Sequence, residues 1–195
     1  MSETVDGAAT QDGADIVTAR LTLRLMTPQL LNLCLRGDRV AAEACLGGYI
    51  PDEFFFAQDF MAMRILQLRN DAAYAPFGPR AMVLTASREM VGHVGFHSPP
   101  DPDYLAATVG TGIELGYTVA ATRRRVGFAE EAVRGAIDWA HRCHSVGQFV
   151  ASIAPDNVAS QCLAAKLGFV KVGEQMDDVD GAEDVLLLRV APSPR

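Results

Sequence analysis

The sequence predicts an α/β (α+β) domain: one mixed, twisted sheet with helices packed against it. Short apolar or alternating segments bounded by turn residues recur from residue 20 to residue 190. Segments of helical spacing fall between them. The plainest is Ala129, Ala132, Val133, Ala136, Ile137 and Ala140, a single stripe at i, i+3, i+4, i+7, i+8 and i+11. At 195 residues, 49% hydrophobic and 21% charged, the chain is globular in composition and long enough to bury a full core.

Residues 1–16 are expected as a disordered leader and 17–191 as a single domain. The leading segment is Gly/Ala/Asp-rich, and Glu3, Asp6, Asp12 and Asp15 supply over half of the net charge of −7, with no base before Arg20. It has no apolar h-region of the kind a secretory signal needs. "RLTLRLM" (20–26) alternates like a half-exposed strand. "TPQLLNLCLRGD" (27–38) reads as a helix with Thr27 as N-cap and Pro28 at its first position. "PDEFFFAQDFMAMRILQLRND" (51–71) has the apolar density of a second packed helix. "RAMVLTASREMVGHVGFHS" (80–98) predicts two strands turning near Ser87–Glu89. After the loop "PPDPDYLAATVG" comes a third strand, "GIELGYTVA" (112–120). The striped helix follows, then strand "QFVASIA" (148–154) and helix "NVASQCLAAKLG" (157–168), which ends at Gly168. "FVKVGEQM" and "EDVLLLRV" close the chain as a hairpin. The expected order is β-α-α-β-β-β-α-β-α-β-β.

Several function classes are disfavoured. The acidic balance argues against a nucleic-acid partner, and no apolar run approaches the roughly 18 residues of a membrane span. Cys34, Cys45, Cys143 and Cys162 lack CxxC spacing and are expected as buried, reduced thiols of a cytoplasmic protein, with no metal site. No P-loop or GxSxG elbow is present. "GTGIELG" (110–116) misses the last glycine of a dinucleotide fingerprint and lies in a predicted strand.

The densest positive charge stands where the striped helix begins, in "YTVAATRRRVGFAEEAVRGAIDWAHR" (117–142). Unpaired N–H groups and the macrodipole make that position an anion site, and Gly127 lets a phosphate approach the backbone. A solvated basic patch ahead of an ordinary surface helix is the other reading.

"RRVGFA" (124–129) resembles the [QR]-x-x-G-x-[GA] pyrophosphate loop of the GNAT superfamily of acetyl-CoA-dependent N-acetyltransferases. "ELGYTV" (114–119) is similar to the strand before that loop. "NVASQCLAAKLGF" (157–169) is similar to the family's downstream N-x-x-S-x-x-x-x-x-K-L-G-F helix, and "TARLTLRLM" (18–26) to the opening strand of the RimJ/RimL-type branch. The resemblance spans residues 18–190. It implies a sheet splayed at its central strands with helices on both faces, and acetyl-CoA as co-substrate. Main-chain N–H groups of Arg124, Arg125, Val126, Gly127, Phe128 and Ala129 would hold the pyrophosphate. Tyr117 and Val119 would pair with the pantetheine arm, and Asn157 would contact it. Lys166 matches a common basic position that could meet the adenosine phosphate, or is a surface lysine.

Acetylating an amine requires a neutral nucleophile, charge relief at the thioester carbonyl and a proton for the departing thiolate. Glu114 is the candidate base, a lone carboxylate in an apolar strand where Glu114, Gly116 and Thr118 share a face; an acid paired with an arginine for structure is the alternative. His93 and His97 are runners-up on the neighbouring strand. His141 and His144 stand at a helix end, where a dipole contact explains them. Many family members carry a tyrosine seven residues after the asparagine; here that position is Ala164. RimJ/RimL-type members use a serine three residues after it, so Ser160 is the candidate acid. The acceptor wall is expected from 51–75, with Phe54, Phe55 and Phe56, and from 99–108. Asp177, Asp178 and Asp180 could attract a cationic amine or form a solvated turn. The expected function is acetyl transfer to a primary amine, on a protein N-terminus or a small molecule, with a homodimer compatible. The alternative is a non-catalytic acyl-CoA sensor on the same fold.

Overall fold

The computed structural model describes residues 13–177 and 181–191. Ile16–Val17 (β1), Leu21–Leu25 (β2), Arg80–Leu84 (β3), Met90–Phe96 (β4), Ile113–Val119 (β5), Gln148–Ile153 (β6), Val170–Asp177 (β7) and Gly181–Arg189 (β8) form one sheet in the order β1-β2-β3-β4-β5-β6-β8-β7. Neighbours are antiparallel except β5 with β6. The closing hairpin places β8, not β7, beside β6, because buried Val185, Leu186 and Leu187 belong in the interior and β7 is mostly exposed.

Alternation in the strands sorts their side chains onto two cores. Leu21, Leu23, Met82, Val94, Ile113 and Leu115 meet the stripe of Phe128–His144 (α5), where Ala132, Val133, Ala136, Ile137 and Ala140 are all buried. Val158–Leu167 (α6) joins the same side through Ala164. On the opposite face, Ala81, Val83 and Met90 pack with Pro28–Leu35 (α1), Arg39–Leu46 (α2) and Gln58–Asn70 (α3) through Leu30, Leu31, Leu46, Met61 and Ile65. Truncating one of these fully buried aliphatics to alanine costs about 2–5 kcal/mol.

Local chemistry corrects several sequence expectations. The helix expected over 27–38 stops at Leu35: Gly37 takes φ 70° and the Asp38 carboxylate accepts from Ala41 N at 3.2 Å, capping α2, which the sequence reading did not assign. Thr27 and Pro28 begin α1 as expected, with the Thr27 hydroxyl accepting from Leu30 N at 3.3 Å. The helix expected over 51–71 is a 3₁₀ turn, Asp52–Phe55, followed by α3. Three consecutive phenylalanines cannot share a buried face, and Phe56, 79% exposed, sits at the break while Phe54 is buried. Asp103–Ala106 (α4) forms inside the expected loop 99–110, anchored by buried Leu105.

The end of the expected leader is also structured. Ile16 and Val17 pair with β2, Asp15 ion-pairs with Arg24 at 2.8 Å, and the Ala14 carbonyl accepts from buried Arg80 at 2.8 Å. Residues 1–12 lie outside the described residues. Only Cys34 fits the expected buried thiols, its pKa pushed up to about 11 by burial and the neighbouring Cys45; Cys45, Cys143 and Cys162 are exposed. Among the described residues no helix is long and apolar enough to cross a membrane.

Candidate active site

The sheet opens between β5 and β6. Their parallel pairing covers Ile113↔Phe149 and Glu114↔Val150 and no further, while β6 stays paired with β8 along its whole length. From Leu115 onward the two strands diverge, so β5 has main-chain groups with no partner strand on that side. The splay expected at the central strands is therefore present, and β5 presents one set of side chains to each mouth of the opening.

At the C-terminal end of β5 the chain turns through Ala121–Arg123 into the loop before α5. Arg125 and Gly127 both adopt left-handed conformations, φ 65° and 87°, which coil residues 124–128 tightly. No acceptor among the described residues takes the N–H groups of Arg124, Arg125, Val126, Gly127, Phe128, Ala129 or Glu130. These are the free donors of a helix start and the turn before it, so the loop has the donor set that a diphosphate requires. The triple arginine is not one patch. Arg123 is taken by Glu89, just before β4, at 2.6 Å, and Arg124 Nε donates to the Val119 carbonyl at 3.0 Å. Arg124 and Arg125 have no carboxylate partner among the described residues. The Val119 carbonyl, expected to face a pantetheine arm, thus already accepts one hydrogen bond.

Arg20, which the sequence reading did not single out, straps this loop. It donates to the Val126 carbonyl at 3.0 Å and to Glu131 at 2.6 Å, and its guanidinium lies 4.7 Å from the Phe128 ring centroid. Lys166 reaches the same helix start from α6, 2.5 Å from Glu130. Glu130 and Glu131 would otherwise oppose an anion, and these bases neutralise them.

On one face of β5, Glu114 is 5% exposed. The His97 imidazole stands 3.5 Å from its carboxylate, and His97 N donates to the Glu114 carbonyl at 2.9 Å. The Ser152 hydroxyl from β6 approaches the carboxylate without completing a hydrogen bond, and the Tyr104 hydroxyl from α4 also bears on it. Burial pushes the Glu114 carboxyl up, but His97, Ser152 and Tyr104 together outweigh it and hold the group below its usual range. Burial, with the Glu114 charge beside it, raises the Tyr104 phenol well above its ordinary value, so that hydroxyl keeps its proton. The arginine partner weighed as an alternative for Glu114 is absent among the described residues.

On the other face stand Tyr117 and α6. Asn157 caps α6, its side-chain oxygen accepting from Ser160 N at 3.2 Å. The Tyr117 hydroxyl is buried against Ser160 without completing a hydrogen bond, and burial raises its pKa. Tyr117 was expected to act through its main chain alone; its side chain also enters the opening. Ala164 is buried in the core between α6 and the sheet.

His93 shares a strand face with His97 but lies deeper along the wall, stacked on Phe60 at 4.4 Å and edge-on to Phe54 at 6.3 Å. Burial, reinforced by the Arg64 charge, lowers its pKa to about 4, so it is neutral in ordinary buffers. Phe55 lies under Arg39, 4.4 Å from the guanidinium, leaving exposed Phe56 as the residue available to a partner. His141 contacts the Val146 carbonyl at 2.9 Å, and His144 packs against Trp139 and Phe77 far along α5. Asp177 ends β7; Asp178 and Asp180 lie outside the described residues. Tyr104 and Ser152 were missed because neither sits in a recognisable spacing. Arg64, also missed, carried a signal: a charge on the helix face shared by Met61, Ile65 and Leu68.

Comparisons with known proteins bear on the fold that carries this site. A family profile described as the Acetyltransferase (GNAT) domain matches residues 20–170. The uncharacterised N-acetyltransferase YjdG of Bacillus subtilis is 28% identical over 156 residues, covering 78% of this chain and 88% of its own. The ribosomal-protein-S5-alanine acetyltransferase of Vibrio fischeri superposes with a TM-score of 0.63 at 18% identity, over 93% of this chain and 100% of that one. Mycobacterium smegmatis RimJ, solved with CoA-disulfide, gives the same TM-score and identity over 91% of this chain and 88% of its own. Both structures share the fold.

Proposed function

The chain belongs to the GNAT family of N-acetyltransferases, and on that premise we propose that it moves an acetyl group from acetyl-CoA to a primary amine by direct attack on the thioester. One observation carries this reading. At the opening of the sheet, β5 presents a buried carboxylate, Glu114, to one mouth and the Tyr117–Ser160 hydroxyls to the other. Proton removal and proton delivery then lie on opposite sides of one strand.

The free N–H groups of 124–130, with Arg124 and Arg125, would hold the pyrophosphate, and the pantetheine arm would lie along β5 past Tyr117, near Asn157. Lys166 would sit near the adenosine end. The acceptor enters from the side of α3 and α4. Glu114 is anionic at neutral pH, so it attracts the ammonium form and receives its proton through His97 or water. The amine nitrogen bonds to the carbonyl carbon, the oxyanion is met by a main-chain N–H of the splayed strand, and the C–S bond breaks. The nitrogen's second proton and the one held by Glu114 leave to solvent; the departing thiolate takes a proton from Ser160, which regains one from solvent directly or by way of the Tyr117 phenol. The acceptor is a small amine or a protein N-terminus; the RimJ-like neighbours lend support to the latter.

Calorimetry with acetyl-CoA, run beside a thiol-release assay over an amine and peptide panel, tests the reading. Acetylated product with release of CoA is expected. Tight coenzyme binding with no release on any acceptor would favour the sensor instead.

A further inference from the structure

Arg64, on α3, is 7% exposed; its guanidinium lies 5.5 Å from the Phe60 ring centroid, and among the described residues it has no carboxylate partner. Its Nη1 donates to Gln67 Oε1 at 2.7 Å and to the Tyr74 hydroxyl at 3.1 Å, both neutral acceptors. Nε and Nη2 have no acceptor among the described residues, and neither is sealed from solvent. Arg80, the other buried arginine among the described residues, differs. Its donors go to the carbonyls of Ala14, Leu23 and Pro76, and its guanidinium lies 4.8 Å from the Trp139 ring centroid, a structural role fully accounted for.

Arg64 lies beside the proposed acceptor mouth. Gln67, which holds its Nη1, also donates to the carbonyl of His97, the residue that faces Glu114, at 3.3 Å. Its charge is felt by Tyr104 and His93, on either side of that mouth. Three of the five N–H groups of this guanidinium thus have no protein acceptor and are open on one edge, where an anion can complete them. Glu114 supplies no compensation, since its own partner is His97. The wall therefore holds two buried groups of opposite charge, a carboxylate paired with His97 and a guanidinium with no carboxylate partner among the described residues.

We propose that Arg64 binds a carboxylate of the acceptor, so that the preferred substrate is an amine that also carries a carboxylate. The ammonium end faces Glu114 and the carboxylate faces the open edge of the Arg64 fork, whose planar donors suit that group. A free amino acid and a peptide N-terminus followed by an acidic side chain both present this chemistry. The inference rests on the acetyl-transfer reading.

The test compares matched acceptors with acetyl-CoA: free amino acids against their carboxamides, and peptides with aspartate near the N-terminus against the same peptides with asparagine. The wild-type protein is expected to favour the carboxylate member of at least one pair by about 10- to 100-fold in kcat/KM. The pair that shows the preference identifies the source. Arg64→Gln, checked for folding by its acetyl-CoA affinity, is expected to bring that ratio close to one. Acetylation of both members at equal rates by the wild type, or an unchanged ratio in Arg64→Gln, overturns the assignment of Arg64 alone. No release of CoA with any acceptor removes the acetyl-transfer reading beneath it. If Arg64→Gln does not fold, the wild-type ratio still decides.

Discussion

His97 and Glu114 face each other across the β4–β5 ladder, imidazole to carboxylate at 3.5 Å, with the His97 N–H bonded to the Glu114 carbonyl. That double contact fixes the carboxylate where the sheet begins to open and, with Ser152 and Tyr104, keeps it ionised despite its burial.

Glu114→Gln is expected to lower the acetylation rate by about 10²- to 10⁴-fold while acetyl-CoA affinity stays within about twofold. Because the carboxyl is held below its usual range, it is ionised throughout the neutral range. Any rise of rate with pH across the neutral range comes from another group. The variant should therefore lower the plateau of the pH–rate profile without moving its midpoint. A shifted midpoint, or an unchanged plateau, removes Glu114 as the base.

Ser160→Ala should lower kcat by about 10-fold or more and leave the acetyl-CoA dissociation constant nearly unchanged. Tyr117→Phe should act in the same direction, because the two hydroxyls meet in the opening. Turnover by either variant at the wild-type rate, measured by thiol release at saturating acceptor, takes that residue out of the proton path.

The arginines of the loop should separate by partner. Arg125→Gln keeps the left-handed backbone but removes an unpaired charge, and should weaken acetyl-CoA binding by about 3- to 10-fold, less so at high salt. Arg123 is occupied by Glu89, so Arg123→Gln should change coenzyme affinity little. Gly127→Glu adds both left-handed strain and a negative charge, and should abolish binding measurable by calorimetry. Equal effects from Arg123 and Arg125 would contradict the arrangement described.

His93 makes stability pH-dependent. Burial and Arg64 depress its pKa to about 4 from an ordinary 6.5, so between those values the unfolded chain binds more protons than the folded one. Stability then rises with pH through that window and levels off above it, by about 3 kcal/mol at most. His93→Phe should flatten this component, seen as a smaller difference between urea midpoints at pH 4.5 and pH 7. An identical difference in the variant would show that His93 does not titrate there.

What the residues disclosed in advance follows from how local each signal is. Thr27–Pro28 and Gly168 marked helix ends because capping and left-handed stops are decided within a turn. The stripe of α5 and the alternation around Glu114 located their buried faces because periodicity is geometric. The Asp38 cap was equally local, but its apolar run is too short to stand out. The placing of β8 beside β6, the strap from Arg20 to Val126 and the approach of Tyr104 to Glu114 join segments distant in the chain, and no local pattern encodes such meetings. Arg64 lies between these cases: a charge on an apolar face is visible in the sequence, but its missing counter-charge is visible only in three dimensions.

The two rungs joining β5 to β6 make a short seam through the middle of the molecule. Mechanically, the halves are stitched at one end and left to the helices elsewhere. An arm of coenzyme laid against the bare edge of β5 would add the missing stitches, and loading the donor would then also brace the scaffold.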